Sequence, residues 1–303
     1  MGVSRLVRPL GWASLVANIA LVVTGGAVRL TDSGLGCPTW PRCTSTSFVP
    51  HQALGIHGAI EFGNRMIGFV LAVIAIATFV AAWQTGRREL RVLALVLGLG
   101  VPAQAVIGGI VVRTQLNPWL VSLHLLTSLA MTGVAVLFLR RIDVPSPVLA
   151  RGPAVGLAWA TFAVGWLVMY VGTVVTGAGP HAGDIHSRRN GLPPLQLAQL
   201  HADLVFLFVG LTVGLLVVAA VTGVAPAAKQ AIAVLLVVEL LQGTVGLVQY
   251  FTQLPIILVG LHVLGAALIS AAVTWALLNV RESGAPAGVV PVPNLTHYQQ
   301  HER

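Results

Sequence analysis

The chain has 303 residues, of which 56% are hydrophobic and only 9% charged, with a mean hydropathy of +0.88, where an ordinary soluble domain carries roughly 25% charged residues. That balance excludes a soluble globular protein and points to a bilayer. The formal charge of +8 arises from 17 Lys+Arg against 9 Asp+Glu. All of these cations except Lys229 are arginines, and most lie between apolar runs instead of forming the clustered basic face that nucleic acid requires, so nucleic acid is excluded as a partner.

Apolar runs long enough to cross a hydrocarbon core of about 30 Å fall at about 10–30, 56–83, 92–112, 119–139, 153–177, 197–222, 231–251 and 257–280. The fold class predicted is an all-α membrane protein of eight transmembrane helices in contact with lipid. The first run, from about Leu10 to Val28, contains no small-residue cleavage site and is expected to remain as a helix. Arg87, Arg88 and Arg91, then Arg140, Arg141 and Arg151, then Lys229 follow the second, fourth and sixth runs, while Arg5, Arg8 and Arg281 flank the ends. By the positive-inside rule both termini are expected in the cytoplasm of a multi-pass cell-membrane protein.

The opposite face then receives a loop of about 31–55, two short turns near Gln115 to Pro118 and Gln253 to Pro255, and a loop of about 178–196. The first loop holds both cysteines, in Cys37-Pro-Thr-Trp-Pro-Arg-Cys43. On the outer, oxidising face they are expected to form a disulfide, the alternative being two free thiols without a role.

An internal repeat organises the chain. Gln104, Gln115-Leu and Leu123-His124 recur as Gln242, Gln253-Leu and Leu261-His262 at one offset of 138, and Val23-Thr24-Gly25 recurs as Val175-Thr176-Gly177 at 152. Two four-helix halves, pseudo-symmetric about an axis along the membrane normal, are expected over 1–150 and 151–282, followed by a disordered cytoplasmic tail over 283–303.

Ionisable side chains within spans are costly and are functional candidates by default. His124 and His262 each fall about five residues below the outer end of their helices, roughly 8 Å into the membrane, and His201 falls at similar depth in the sixth run. A lone histidine in a bundle is more often structural, but two at repeat-matched positions with a third at the same level suit haem. The apolar interior takes the macrocycle and His201 and His262 offer ligands from opposite faces. Zinc fits less well, because no thiolate or carboxylate stands at matching depth on enough helices. In the first half the second run offers Glu61-Phe-Gly-Asn64-Arg65, so Asn64 stands where a histidine would complete a pair with His124. Glu61 is either a proton handler or the ion-pair partner of Arg65.

The stretch Gly25 to Cys43, with Arg29, Gly34, Cys37 and Trp40, resembles the first outer loop of haem A synthases, and Ile60-Glu61-Phe-Gly-Asn64-Arg65 resembles that family's Glu-x-x-His-Arg motif. Ser-Leu-His124-Leu, Asn190-Gly-Leu-Pro193 leading to His201, and Gly-Leu-His262 extend the likeness over about 10–280. The resemblance implies oxidation of a ring methyl of haem O to a formyl by successive hydroxylations, giving haem A for terminal oxidases. It implies haem b as cofactor on iron ligands His201 and His262, with substrate held near His124, Asn64 and Arg65 and Glu61 catalytic. Haem O synthase and an unidentified electron donor are the further partners it implies. Asn64 departs from the family's histidine, and the second outer loop lacks the cysteine pair that some members carry.

Two other classes compete. A di-haem b-type cytochrome exchanging electrons with quinone would share the histidines but would need neither Glu61 nor an incomplete first site. A transporter would account for the repeat and for Glu239, yet Glu239 is matched by Val101 in the other half and the spans show few of the mid-membrane breaks transporters use. Glu239, Asp203, Arg113, His57 and His181 have no assigned role, and Arg29 and Arg113 either pair with haem propionates or snorkel at the outer surface.

Overall fold

Apolar residues in unbroken runs leave a backbone in lipid one local solution, the helix that satisfies its own hydrogen bonds. In the computed structural model, which describes residues 3–282, a 3-10 turn at Val3–Leu6 leads into α1 (Val7–Leu30), then α2 (Gly55–Gln84), α3 (Arg88–Arg113) and α4 (Pro118–Asp143). The second half continues with α5 (Pro153–Ala178), α6 (Pro194–Val221), α7 (Pro226–Phe251) and α8 (Ile256–Arg281). All eight are long and apolar enough to cross a membrane. The expected tail over 283–303 lies outside the described residues.

Several helices begin earlier than the apolar runs predict, α3 by taking in Arg88 and Glu89 and α7 by taking in Lys229. Hydropathy marks the hydrocarbon-facing stretch, whereas hydrogen bonding carries the helix on into the headgroup region. Proline at the first position of α4, α5, α6 and α7 fixes four of the starts, where its missing N–H costs nothing.

The neighbours are the same in each half. The contacts α1·α2, α2·α3, α3·α4 and α1·α4 close one ring of four helices, and α5·α6, α6·α7, α7·α8 and α5·α8 close another. The repeat reaches the backbone as well, since the turns after α3 and α7 both carry consecutive left-handed residues, Gln115-Leu116 and Gln253-Leu254.

The two rings meet through α1, α4, α5 and α8, with α4 packed directly on α8. Small residues make this possible, as helix association in lipid depends on close backbone approach. A Cβ added to Gly133 of α4 would meet Thr274 Oγ1 of α8 at 3.1 Å, and Ser270 Oγ of α8 donates to the Leu129 carbonyl of α4 at 2.7 Å. The outward faces keep Phe69, Ile76, Leu99, Phe206 and Ile257 exposed, as lipid contact requires.

At the end of the bundle where α4 and α8 finish, Glu282 has a side chain of 0% exposure held by Arg140 and Arg141, and Arg141 also pairs with Glu89 at 2.6 Å. Arg87 donates to the carbonyls of Arg141 and Ile142. This cluster fastens the ends of α3, α4 and α8 to one another.

Candidate functional site

His201 sits two turns into α6 and His262 just under two turns into α8, both counted from the cysteine-loop end. Their rings face each other with centroids 6.4 Å apart and planes at 70°. An axial pair on one iron needs an iron–nitrogen bond of about 2.0 Å on each side and about 1.1 Å more to each ring centre, roughly 6.3 Å in all. The observed centroid separation therefore matches that of two imidazoles on one iron.

Glycines shape the space around each histidine. A Cβ at Gly172 of α5 would stand 3.0 Å from His201 Cε1, one at Gly246 of α7 would stand 3.2 Å from His262 Cε1, and one at Gly108 of α3 would stand 3.4 Å from His124 Cε1. Gly108 and Gly246 share the 138-residue offset of the histidines they support. Glutamines share it too: Gln242 Nε2 donates to the His262 carbonyl at 2.8 Å, and Gln104 Nε2 donates to the His124 carbonyl at 3.4 Å and to Ser128 Oγ at 2.7 Å. The Nδ1 atoms of His124, His201 and His262 are buried without a good hydrogen bond, and the His201 ring lies beside the Val168 carbonyl. Among the described residues no three His, Cys, Asp or Glu side chains converge on a common point, so the facing imidazole pair is the feature suited to a metal.

The first half is built differently. Asn64 Oδ1 accepts from Thr24 Oγ1 at 2.7 Å, which ties α2 to α1. His57, seven residues earlier, is exposed and engages Ser33 Oγ at 3.0 Å through Nδ1. Glu61 is 5% exposed; its Oε1 pairs with Arg65 at 2.6 Å and its Oε2 accepts from the Cys37 N–H at 2.6 Å. The geometry shows the ion-pair alternative for Glu61, and the same carboxylate also anchors the cysteine loop.

Cys37 and Cys43 are joined in a disulfide. Arg65 completes the anchor by donating to the carbonyls of Cys37, Thr39 and Arg42, and Arg113 donates to the Trp40 carbonyl at 3.2 Å. These bonds press the Trp40 indole onto Gly109 of α3, next to the Gly108 that supports His124. Sequence reasoning missed this tryptophan shelf and the supporting glycines, although the 138-residue offset of Gly108 and Gly246 was a usable signal.

The unassigned residues find places. Arg29 donates to the carbonyls of His181 and Thr176 at 2.6 and 2.7 Å, bracing the α5–α6 loop and the end of α5 against α1. His181 Nε2 contacts the Leu254 carbonyl at 3.0 Å, and exposed Asp203 accepts from Gln199. Glu239, 3% exposed, accepts from Thr212 Oγ1 at 2.7 Å.

Fold and site together define a multi-pass membrane protein whose spanning helices carry the repeat-matched His124 and His262, with His262 and His201 brought close together. Residues 8–184 match the family COX15-CtaA, described as cytochrome oxidase assembly protein. That match covers more than half of the chain, and the chain belongs to this family. It is 33% identical over 181 residues to the heme A synthase of Lysinibacillus sphaericus, covering 55% of this chain and 58% of that protein. It is 32% identical over 183 residues to the heme A synthase of Staphylococcus haemolyticus, covering 56% and 60%. A third relative, the heme A synthase of Methylobacterium radiotolerans, is 28% identical over 217 residues, covering 58% of each chain. The matched stretch is thus less than two thirds of each relative's length.

Proposed function

We propose that this protein is a haem A synthase, a membrane oxidoreductase that converts a ring methyl of haem O into the formyl of haem A. The observation that carries the reading is the asymmetry between the halves: an imidazole pair at His201 and His262, against His124 in the first half, where the amide Asn64 stands at the position corresponding to His201. A bis-imidazole haem suits electron transfer, and the half with one imidazole suits a macrocycle that is itself to be oxidised.

In this reading residues 151–282 hold haem b as cofactor, and bound haem b supplies one-electron transfer. Residues 1–150 hold haem O, with His124 orienting the macrocycle and Asn64 and Arg65 bordering it. Glu61 handles protons near the reacting methyl, and its double anchorage to Arg65 and Cys37 keeps its carboxylate at one position. Haem O synthase and an electron donor complete the set of partners. The arginine distribution supports cytoplasmic termini and a cysteine loop on the outer face of the cell membrane.

The test is pigment extraction from protein purified from cells with and without haem O synthesis. Haem b is expected in both preparations and haem A only where haem O is supplied. In His262→Ala the low-spin haem b spectrum is expected to be lost. Haem O supply that yields no haem A, or a His262→Ala protein with a full six-coordinate spectrum, would overturn the reading.

A further inference from the structure

Glu239 lies in mid-membrane, near the centre of α7, and neither the repeat nor the proposed chemistry uses it. Its residue is 97% buried, given 3% relative exposure, and Oε2 has no hydrogen-bond partner. Oε1 accepts from Thr212 Oγ1 of α6 at 2.7 Å.

Its surroundings connect it to the imidazole pair. Gln242 and Gly246, three and seven residues later on the same face of α7, touch the His262 carbonyl and ring. Thr212 is eleven residues, or three turns, beyond His201 on one face of α6. At 1.5 Å per residue, Glu239 lies about 10 Å deeper than the ring level marked by Gly246, below the space between the rings.

The charged and titratable groups on the elements packed against Glu239 are His201 and Asp203 on α6 and His262 and Arg281 on α8, with Lys229 and Tyr250 on α7 itself. Asp203 is exposed at the outer end, while Lys229, Tyr250 and Arg281 lie toward helix ends, ten or more residues along their helices from this level. Glu282, the other buried carboxylate of this half, is committed to Arg140 and Arg141. Among the described residues Glu239 is therefore the anion available to the interior of the second half.

A haem held by two neutral imidazoles has one net positive charge at its core when ferric and none when ferrous, propionates aside. An unmatched charge in a low-dielectric interior is costly in either state. Resting on the haem b reading above, we propose that Glu239 is the redox-linked proton site of the second half: ionised as counter-charge to the ferric haem and protonated when the haem is ferrous. One electron from a one-electron reductant reduces the iron, and one proton from water binds the carboxylate, so the interior stays neutral.

Thr212 supplies the local switch. Its hydroxyl has two acceptors, Glu239 Oε1 at 2.7 Å and the Phe208 carbonyl at 3.1 Å. It donates to the carboxylate when Glu239 is ionised. When Glu239 is protonated it turns to Phe208 and leaves its lone pairs to the carboxyl proton.

The test is a potentiometric titration of haem b in the purified holoprotein across pH, joined to reduced-minus-oxidised infrared spectra. In the wild type the midpoint is expected to fall with rising pH between two plateaus, with a protonated-carboxyl band gained on reduction. Glu239→Gln is expected to lose the slope and the band and to stay at the acid plateau. Thr212→Val, which removes a donor to the ionised form, is expected to move the fall to higher pH, and it decides the question should Glu239→Gln not hold haem. Haem b with the wild-type slope and band in Glu239→Gln, or an unmoved fall in Thr212→Val, overturns this inference alone. A wild-type protein without haem b overturns the functional reading and this inference with it.

Discussion

Replacing Gly172 by alanine tests the proposed cofactor site without touching a ligand. The new Cβ would stand 3.0 Å from His201 Cε1, at least about 0.5 Å inside the carbon–carbon optimum of about 3.5–4.0 Å. The ring must give by a few tenths of an ångström, whereas a metal–ligand bond tolerates about 0.2 Å. Disturbing the support of a ligating histidine costs about 10- to 100-fold in metal affinity. Gly172→Ala is therefore expected to lose most of its haem b on dilution and to show a high-spin fraction in its absorption spectrum. Gly246→Ala, at 3.2 Å from His262 Cε1, should be milder, and Gly210→Ala and Gly243→Ala, which meet nothing within 4 Å, should keep wild-type haem. A change in helix propensity cannot imitate this order, since alanine is the better helix former by up to about 1 kcal/mol at every one of these positions. A Gly172→Ala protein with full haem content and an unchanged low-spin spectrum would refute the placement of haem between the two rings.

Three further outcomes are expected. Alkylation of fresh membranes without reductant, followed by mass analysis, should leave Cys37 and Cys43 unlabelled, and two labelled thiols would remove the disulfide. Burial raises the pKa of Glu282, but the hydrogen bonds and charges of Arg141 and Arg140 outweigh it and hold the carboxyl below the ordinary 4.5. Its stabilisation is therefore fully present above 4.5 and lost as pH falls through the lower folded value. Glu282→Ala should cost about 3 kcal/mol, the low end for removing one partner of a buried pair because Glu89 still faces Arg141; thermal unfolding in detergent reads this, and equal melting of both proteins at pH 7 would contradict it. Finally, Glu61→Gln should abolish haem A formation and leave the haem b spectrum intact, and ferric protein loaded with haem O should give a high-spin paramagnetic resonance signal. A purely low-spin signal there would mean that the amide of Asn64 does not leave the iron five-coordinate.

The eight spans were legible because lipid permits so few alternatives: an apolar run of this length must be helical and must cross. The histidines were legible because a duplicated chain prints each position twice, and His124 and His262 stood out as a matched pair. What the sequence concealed were contacts that depend on three-dimensional approach. Glu61 and Arg65, four residues apart, announced an ion pair, but nothing in their spacing showed that Arg65 would also gather the carbonyls of Cys37, Thr39 and Arg42. The role of Gly172 was hidden for a different reason. It supports His201 from a helix that follows the other repeat offset, 152, where its counterpart in the first half is Ala20. Glu282 was hidden because a carboxylate at the margin of an apolar run reads as an ordinary helix end.

The packing of the halves bears on how the two proposed sites would cooperate. His124 and His262 lie on α4 and α8, and these are the helices in direct contact across the middle of the molecule. The contact is made close by Gly133 against Thr274 and by the Ser270 bond to the Leu129 carbonyl. Small residues there bring the two histidine-bearing backbones together, so an electron leaving a haem on His262 would reach a substrate on His124 through one helix pair and no intervening chain. A duplication that had placed the histidines on the outer helices α3 and α7, which are not in contact, would have separated the sites by two further layers of side chains. Repetition of one four-helix unit accounts for the matched histidines, and their position on α4 and α8 is what would let the two proposed sites work in series. In the proposed scheme the halves then differ at Asn64 and Glu239, one in the coordination offered to iron and the other in the charge that would face it.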